Sequence, residues 1–183
     1  MKKLNSMIWL AAMMFVAAAC KDDDEDDMSN TISDKDRTFI MNAADGGMFE
    51  VKAGQLAVAK GDSMNHMIHS DSMSVKSFGQ MMITDHTKAN EELMALASER
   101  QATMPTTLTA AKQQKIDSLS AVSGAAFNTM YTKMMVASHQ ETISLFQSES
   151  TGGDDNELKT WASSKLPTLQ HHLEMAEMMW DAL

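Results

Sequence analysis

Three histidines stand where a helical chain could gather metal ligands. His86 falls four residues after Met82 and seven before Leu93, His139 lies four residues from both Met135 and Ile143, and His172 follows Leu169 by three and precedes Ala176 by four. At 3.6 residues per turn, each spacing puts the imidazole on an apolar stripe. Asp85 sits at the shoulder of His86, and Glu50, three residues after Gly47 and four before Gly54, lies beside a face of small residues. Helix bundles build metal sites from one inward polar residue on each of several helices, so Glu50, Asp85, His86, His139 and His172 form a candidate interior site. The competing reading is a set of core histidines bonded to Asp85, Glu50 or backbone carbonyls.

A second candidate is the stretch Met64-Asn65-His66-Met67-Ile68-His69-Ser70-Asp71-Ser72-Met73. Thioethers and imidazoles together suit Cu(I), so Met64, His66, Met67, His69 and Met73 form a candidate copper loop in a segment with little core to fill. A polar hairpin with incidental methionine is the alternative. Twenty of the 183 residues are methionine, sixteen of them beyond residue 19. Most of those, such as Met81-Met82, Met134-Met135 and Met178-Met179, recur on helical faces and read as flexible core filler. No catalytic residue stands out. Serine and threonine occur without a Gly-x-Ser-x-Gly elbow, and no glycine loop of the phosphate-cradling kind is present, so an enzyme is the weaker expectation.

The elements that would position these residues are helices. The chain has two prolines, Pro105 and Pro167, and three breaks: Gly61 to Ser74, Thr103 to Thr109 and Ser150 to Asp155. They divide it into helical blocks over about 35–60, 72–102, 110–150 and 155–182, the third interrupted near Ser120 to Gly124. Apolar or small residues recur at spacings of three and four in every block: Ile40, Ala44, Gly47, Val51, Gly54 and Val58; then Gly79, Met82, Ala89, Leu93 and Leu96; then Phe127, Tyr131, Met134 and Leu145; then Leu158, Ala162, Leu169, Leu173, Ala176 and Trp180. The pattern predicts an all-α four-helix bundle with an extra short helix over 35–183. Gly47 and Gly54 should admit a neighbouring helix closely, and Pro167 should kink the last helix or mark a restart.

Four ordered segments carry a family resemblance. Asp85-His86-Thr87-Lys88-Ala89-Asn90-Glu91-Glu92-Leu93, Ser123-Gly124-Ala125-Ala126-Phe127, Leu166-Pro167-Thr168-Leu169 with His172-Leu173-Glu174-Met175-Ala176, and Gly46-Gly47-Met48 with Glu50-Val51 resemble the domain of unknown function 4142 family. The similarity covers about residues 36–180. It implies a ferritin-like helical bundle in bacterial envelope proteins, without an established activity. The family's Asp-His pair recurs on the third helix, whereas Ser138 precedes His139 here. A di-iron carboxylate centre needs two Glu-x-x-His elements, and this chain has none; its nearest approach is the reversed His171-His172-Leu173-Glu174. Di-iron chemistry is therefore not expected.

The N-terminus reads as an export signal. Lys2 and Lys3 precede an apolar run from Met7 to Ala19, too short for a permanent span, and Ala17-Ala18-Ala19 leads into Cys20, the only cysteine. This layout resembles a bacterial lipoprotein signal, which implies cleavage after residue 19, lipidation of Cys20 and attachment to the outer membrane through acyl chains. Ala17 stands where such signals usually have leucine. Residues 20–34 then form an acidic, disordered tether around Asp22-Asp23-Asp24-Glu25-Asp26-Asp27. It resembles the signal that some Gram-negative lineages use for display on the outer face; a plain spacer is the alternative.

Removal of residues 1–19 leaves 13 basic against 25 acidic residues, a net charge of −12, which makes nucleic acid an unsuitable partner. With Cys20 committed to lipid, no thiol remains for a disulfide or thiolate metal site. The expected protein is a lipid-anchored, cell-envelope bundle that binds metal, copper foremost, through Met and His. A di-metal oxidase of iron or manganese and a purely structural or interaction module are the alternatives.

Overall fold

Apolar stripes of this kind bury themselves by packing helix on helix, and this chain does so. The computed structural model describes residues 32–63, 66–68 and 71–183. In order, these form α1 (Asp34–Lys60), β1 (His66–Ile68), β2 (Asp71–Met73), α2 (Val75–Glu99), α3 (Ala110–Ser120), α4 (Gly124–Gly152) and α5 (Asn156–Asp181). Helices α1 and α2 pack along each other, as do α4 and α5, and α1 against α4 joins the pairs, while α2 and α5 meet sparsely. The short α3 lies against α1 and α4. No described helix is long and apolar enough to cross a membrane.

Helices α1, α2 and α5 each begin on a residue whose side chain satisfies free N–H groups. Ser33 Oγ accepts from Asp36 N at 3.2 Å, Ser74 Oγ from Ser77 N at 3.0 Å, and Asp155 Oδ1 from Glu157 N and Leu158 N. Polar ties then fix the ends against one another. Buried Asp36 accepts from Asp154 N and Asp155 N, which docks the α4–α5 turn on the start of α1. Arg100 clamps Asp155 through two nitrogens, at 2.7 and 2.9 Å, tying the end of α2 to the start of α5. Asp45 accepts from the backbone N and hydroxyl of Thr109, which seats α3 on α1.

Close approach of α1 and α2 rests on two glycines. A Cβ on Gly54 would lie 2.7 Å from Gly79 O, and one on Gly79 would lie 2.6 Å from Ala57 Cβ. Gly47 instead makes room for the Asn90 side chain, which a Cβ there would strike at 2.0 Å.

Residues between Gly61 and Ser74 carry a two-stranded antiparallel hairpin, with His66 opposite Met73 and Ile68 opposite Asp71, a backbone form that one of the two sequence readings of this segment named. The structure departs from the sequence expectations in three other places. Helix α5 runs unbroken through Pro167, so no restart occurs there. On α4 the buried stripe uses Met135 and Phe146, with Met134 and Leu145 only partly buried. Trp180 is 40% exposed rather than part of the core.

The buried apolar residues fall into two clusters. One holds Phe49, Phe78, Met82, Phe127, Tyr131, Met135 and Met179; the other holds Phe39, Ile40, Leu93, Phe146, Leu158 and Leu169. Between them every long helix places a buried polar residue: Glu50 on α1, His86 on α2, His139 on α4 and His172 on α5. The bundle therefore has a polar layer across its middle.

Candidate metal centre

The polar layer gathers the interior candidates. The rings of His86, His139 and His172 form a nearly equilateral triangle, with centroids 5.4 to 5.5 Å apart. One ring nitrogen of each lies within 4.8 Å of the others, and all three residues are buried. Glu50 and Asp85 stand behind the rings. Glu50 Oε2 is 3.0 Å from His86 Nδ1 and Oε1 is 3.6 Å from His139 Nδ1, while Asp85 Oδ2 is 3.0 Å from His172 Nε2. His139 Nδ1 donates to the Met135 carbonyl at 2.8 Å.

These contacts assign the tautomers. Carboxylates and carbonyls only accept, so the nitrogen facing them carries hydrogen: Nδ1 on His86 and His139, Nε2 on His172. The remaining nitrogens, Nε2 of His86, Nε2 of His139 and Nδ1 of His172, are buried and have no hydrogen-bond partner among the described residues. A buried polar atom without a partner costs roughly 1–3 kcal/mol, and here three of them cluster in one layer.

Electrostatics prepare the same state. Burial pushes His172 down to about 4, with His139 and His86 adding to the effect and Asp85 opposing it. Burial also lowers His139, against the pull of Glu50. Both rings are thus neutral at physiological pH, with a lone pair to offer. Burial alone would raise the Glu50 carboxyl, but His86 and His139 and its hydrogen bonds hold it at about 2. Burial likewise lowers His86, yet Glu50 lifts it above the ordinary histidine value.

Two features escape a reading of spacing alone. Asp85 and His86 are adjacent but serve different rings: His86 presents its own imidazole from α2, while Asp85 reaches across to α5 and orients His172. Ser138, standing where the resembled family has aspartate, donates its hydroxyl to Glu50 Oε1 at 2.9 Å. It supports the carboxylate behind His86. Tyr131, one of the deeply buried rings, has a hydroxyl without a partner among the described residues, and its pKa is driven up by burial and then by Glu50.

The second set of candidates falls only partly within the described residues. Met64 and His69 lie outside the described residues, as does Cys20. His66 and Met67 lie on β1. Met73, on β2, is partly buried and packs against the larger apolar cluster, which is the filler role expected of methionine.

A pocket of about 210 Å³ reaches the polar layer from one side, lined by Glu50, Asp85, His86 and His172 and extending past Lys88 and Lys165. Near Lys165, Glu92 links α2 to α5 by accepting from Trp161 Nε1 at 2.9 Å and pairing with Lys165.

Comparison with known proteins bears on the fold and the family. The family model described as "Domain of unknown function (DUF4142)" matches residues 22–179. A solved structure, a DUF305 fragment from Deinococcus radiodurans, is similar with a TM-score of 0.69, covering 84% of this chain and 99% of that one at 9% identity. That likeness concerns the fold alone. No curated protein matches the chain.

Proposed function

The chain belongs to the DUF4142 family, whose description assigns no activity, and from its polar layer we propose a metal-binding protein with one mononuclear three-histidine centre. One observation carries the reading. Each of three clustered imidazoles has one nitrogen held by an acceptor and the other without a partner. Histidines serving only as core would have both nitrogens satisfied. Metal-ligating histidines instead use one nitrogen on the metal and anchor the other on a carboxylate or carbonyl, as Glu50, Met135 O and Asp85 do here.

The donor set narrows the ion. Three imidazoles without a thiolate suit Cu(II) or Zn²⁺, and copper binds nitrogen sites most tightly along the divalent series. A di-iron centre does not fit. It requires four carboxylates, and among the described residues of the layer only Glu50 and Asp85 supply any, each already engaged by a histidine. Ligation at these nitrogens needs all three imidazoles neutral, so metal affinity should fall as pH is lowered.

Titration of the purified protein with Cu(II) or Zn²⁺ tests this reading. One ion per chain is expected, lost in His86→Gln, His139→Gln and His172→Gln alike; retention of binding in all three variants overturns it. We further propose that the bundle works at the cell envelope, held by lipid on Cys20. The short apolar run before that cysteine and the acidic segment after it support this placement.

A further inference from the structure

The three histidines leave a tetrahedral ion with an open position, and the pocket shows what could fill it. Tetrahedral metal centres with three protein ligands keep their fourth place for water or an exogenous ligand. Among the described residues no fourth side chain claims that place, because Glu50 and Asp85 stand behind His86 and His172. The pocket meets the layer at those two rings. A water occupies about 30 Å³, so about 210 Å³ accommodates a small ion with several waters.

Charge selects the class of ligand. Lys88 and Lys165 line the pocket. Lys165 is paired with Glu92, and Lys88 acts on the same carboxylate. With a divalent ion bound, the metal and the two lysines outweigh Glu50, Asp85 and Glu92 by one positive charge. A monovalent anion balances it. Asn90, Thr142 and Thr168, also in the lining, carry the N–H and O–H donors that anions accept.

We propose that the pocket is a small-anion site in which a monovalent anion of azide or acetate size binds the metal at its fourth position, with Lys88 at the rim. The proposal rests on the three-histidine metal reading. It also makes the centre an exchangeable site rather than a closed structural one.

Co(II) and azide make the test direct. Loading the full chain with Co(II) should produce the visible bands of a low-coordinate cobalt site, and azide should shift them saturably. Lys88→Glu, on an exposed side chain, should weaken azide roughly threefold to tenfold through the altered charge, with Co(II) stoichiometry unchanged. Thr142→Met should narrow the pocket and weaken azide without removing cobalt. Cobalt bands that azide leaves unmoved, or an azide affinity that neither variant alters, would overturn the anion site while leaving the metal centre standing. Absence of cobalt binding by the unsubstituted chain would overturn both.

Discussion

A neutral imidazole has one N–H and one lone pair, and in this layer the placement of each decides what the residue can do. The acceptors behind the rings do more than satisfy hydrogen: they hold the lone pairs at one side of each ring, toward the layer's centre. Asp85 is the most separable of them, being partly exposed and hydrogen-bonded to His172. Asp85→Ala should lower metal affinity about 10- to 100-fold, the usual loss when such an orienting partner is removed, with little change in fold as read by circular dichroism. Another buried carboxyl sits far from this layer. Glu149, near the end of α4, is pushed up to about 7 by burial and then by Asp36, with Asp155 adding and Lys35 opposing. A carboxyl whose folded pKa exceeds its unfolded value favours the fold while protonated. Its contribution is whole below about 4.5 and is lost as pH rises through about 7. Urea melts should therefore show greater stability at pH 5.5 than at pH 8, and Glu149→Gln should flatten that difference; an unaltered pH dependence in the variant would remove Glu149 as its source.

Helices place these residues, and their phase was largely legible because glycine, proline and the 3–4 repeat punctuate the chain clearly. The expected first block, 35–60, is α1 within one residue, and the interruption near Ser120 to Gly124 is the gap between α3 and α4. Gly124, at φ +59°, takes a backbone conformation open to glycine and helps α4 start afresh there. Phase on α4 slipped by one position, from Met134 to Met135, since both border the same stripe and hydropathy does not separate two methionines. A hairpin between Gly61 and Ser74 was legible only as one of two readings, because its residues lack alternation, and its register comes from the backbone pairing. Pro167 misled for a local reason: the chain tolerates its missing N–H inside α5 without ending the helix. The tightest joint in the bundle is the Gly54–Gly79 contact. Gly79→Ala would drive a methyl to 2.6 Å from Ala57 Cβ and 2.9 Å from Gly54 O, where backbone stands in the way. Thermal or urea unfolding should register a loss of about 1–3 kcal/mol, the usual cost of overpacking; unchanged stability would mean that α1 and α2 can part without penalty.

Across the whole molecule, a polar layer divides the core into two apolar clusters, and that division is the clearest sign that the centre serves a purpose other than stability. The inward direction of His86, His139 and His172 could be read from spacing. The cross-helix duty of Asp85 and the support of Glu50 by Ser138 could not, because helix-to-helix register is a property of packing rather than of any one segment. At the same scale, the envelope placement predicts that Cys20→Ser releases the protein into the soluble fraction; continued sedimentation of the variant with washed membranes would contradict lipid anchoring. The central claim is that metal sits on three imidazoles within the bundle rather than on the methionines of the hairpin. X-ray absorption of the copper- or zinc-loaded protein tests it most directly. The account predicts three nitrogen scatterers with imidazole character at about 2.0–2.1 Å, no sulfur near about 2.3 Å, and the same spectrum after Met64, Met67 and Met73 are all replaced by Leu. A sulfur shell that disappears in that triple variant would contradict it.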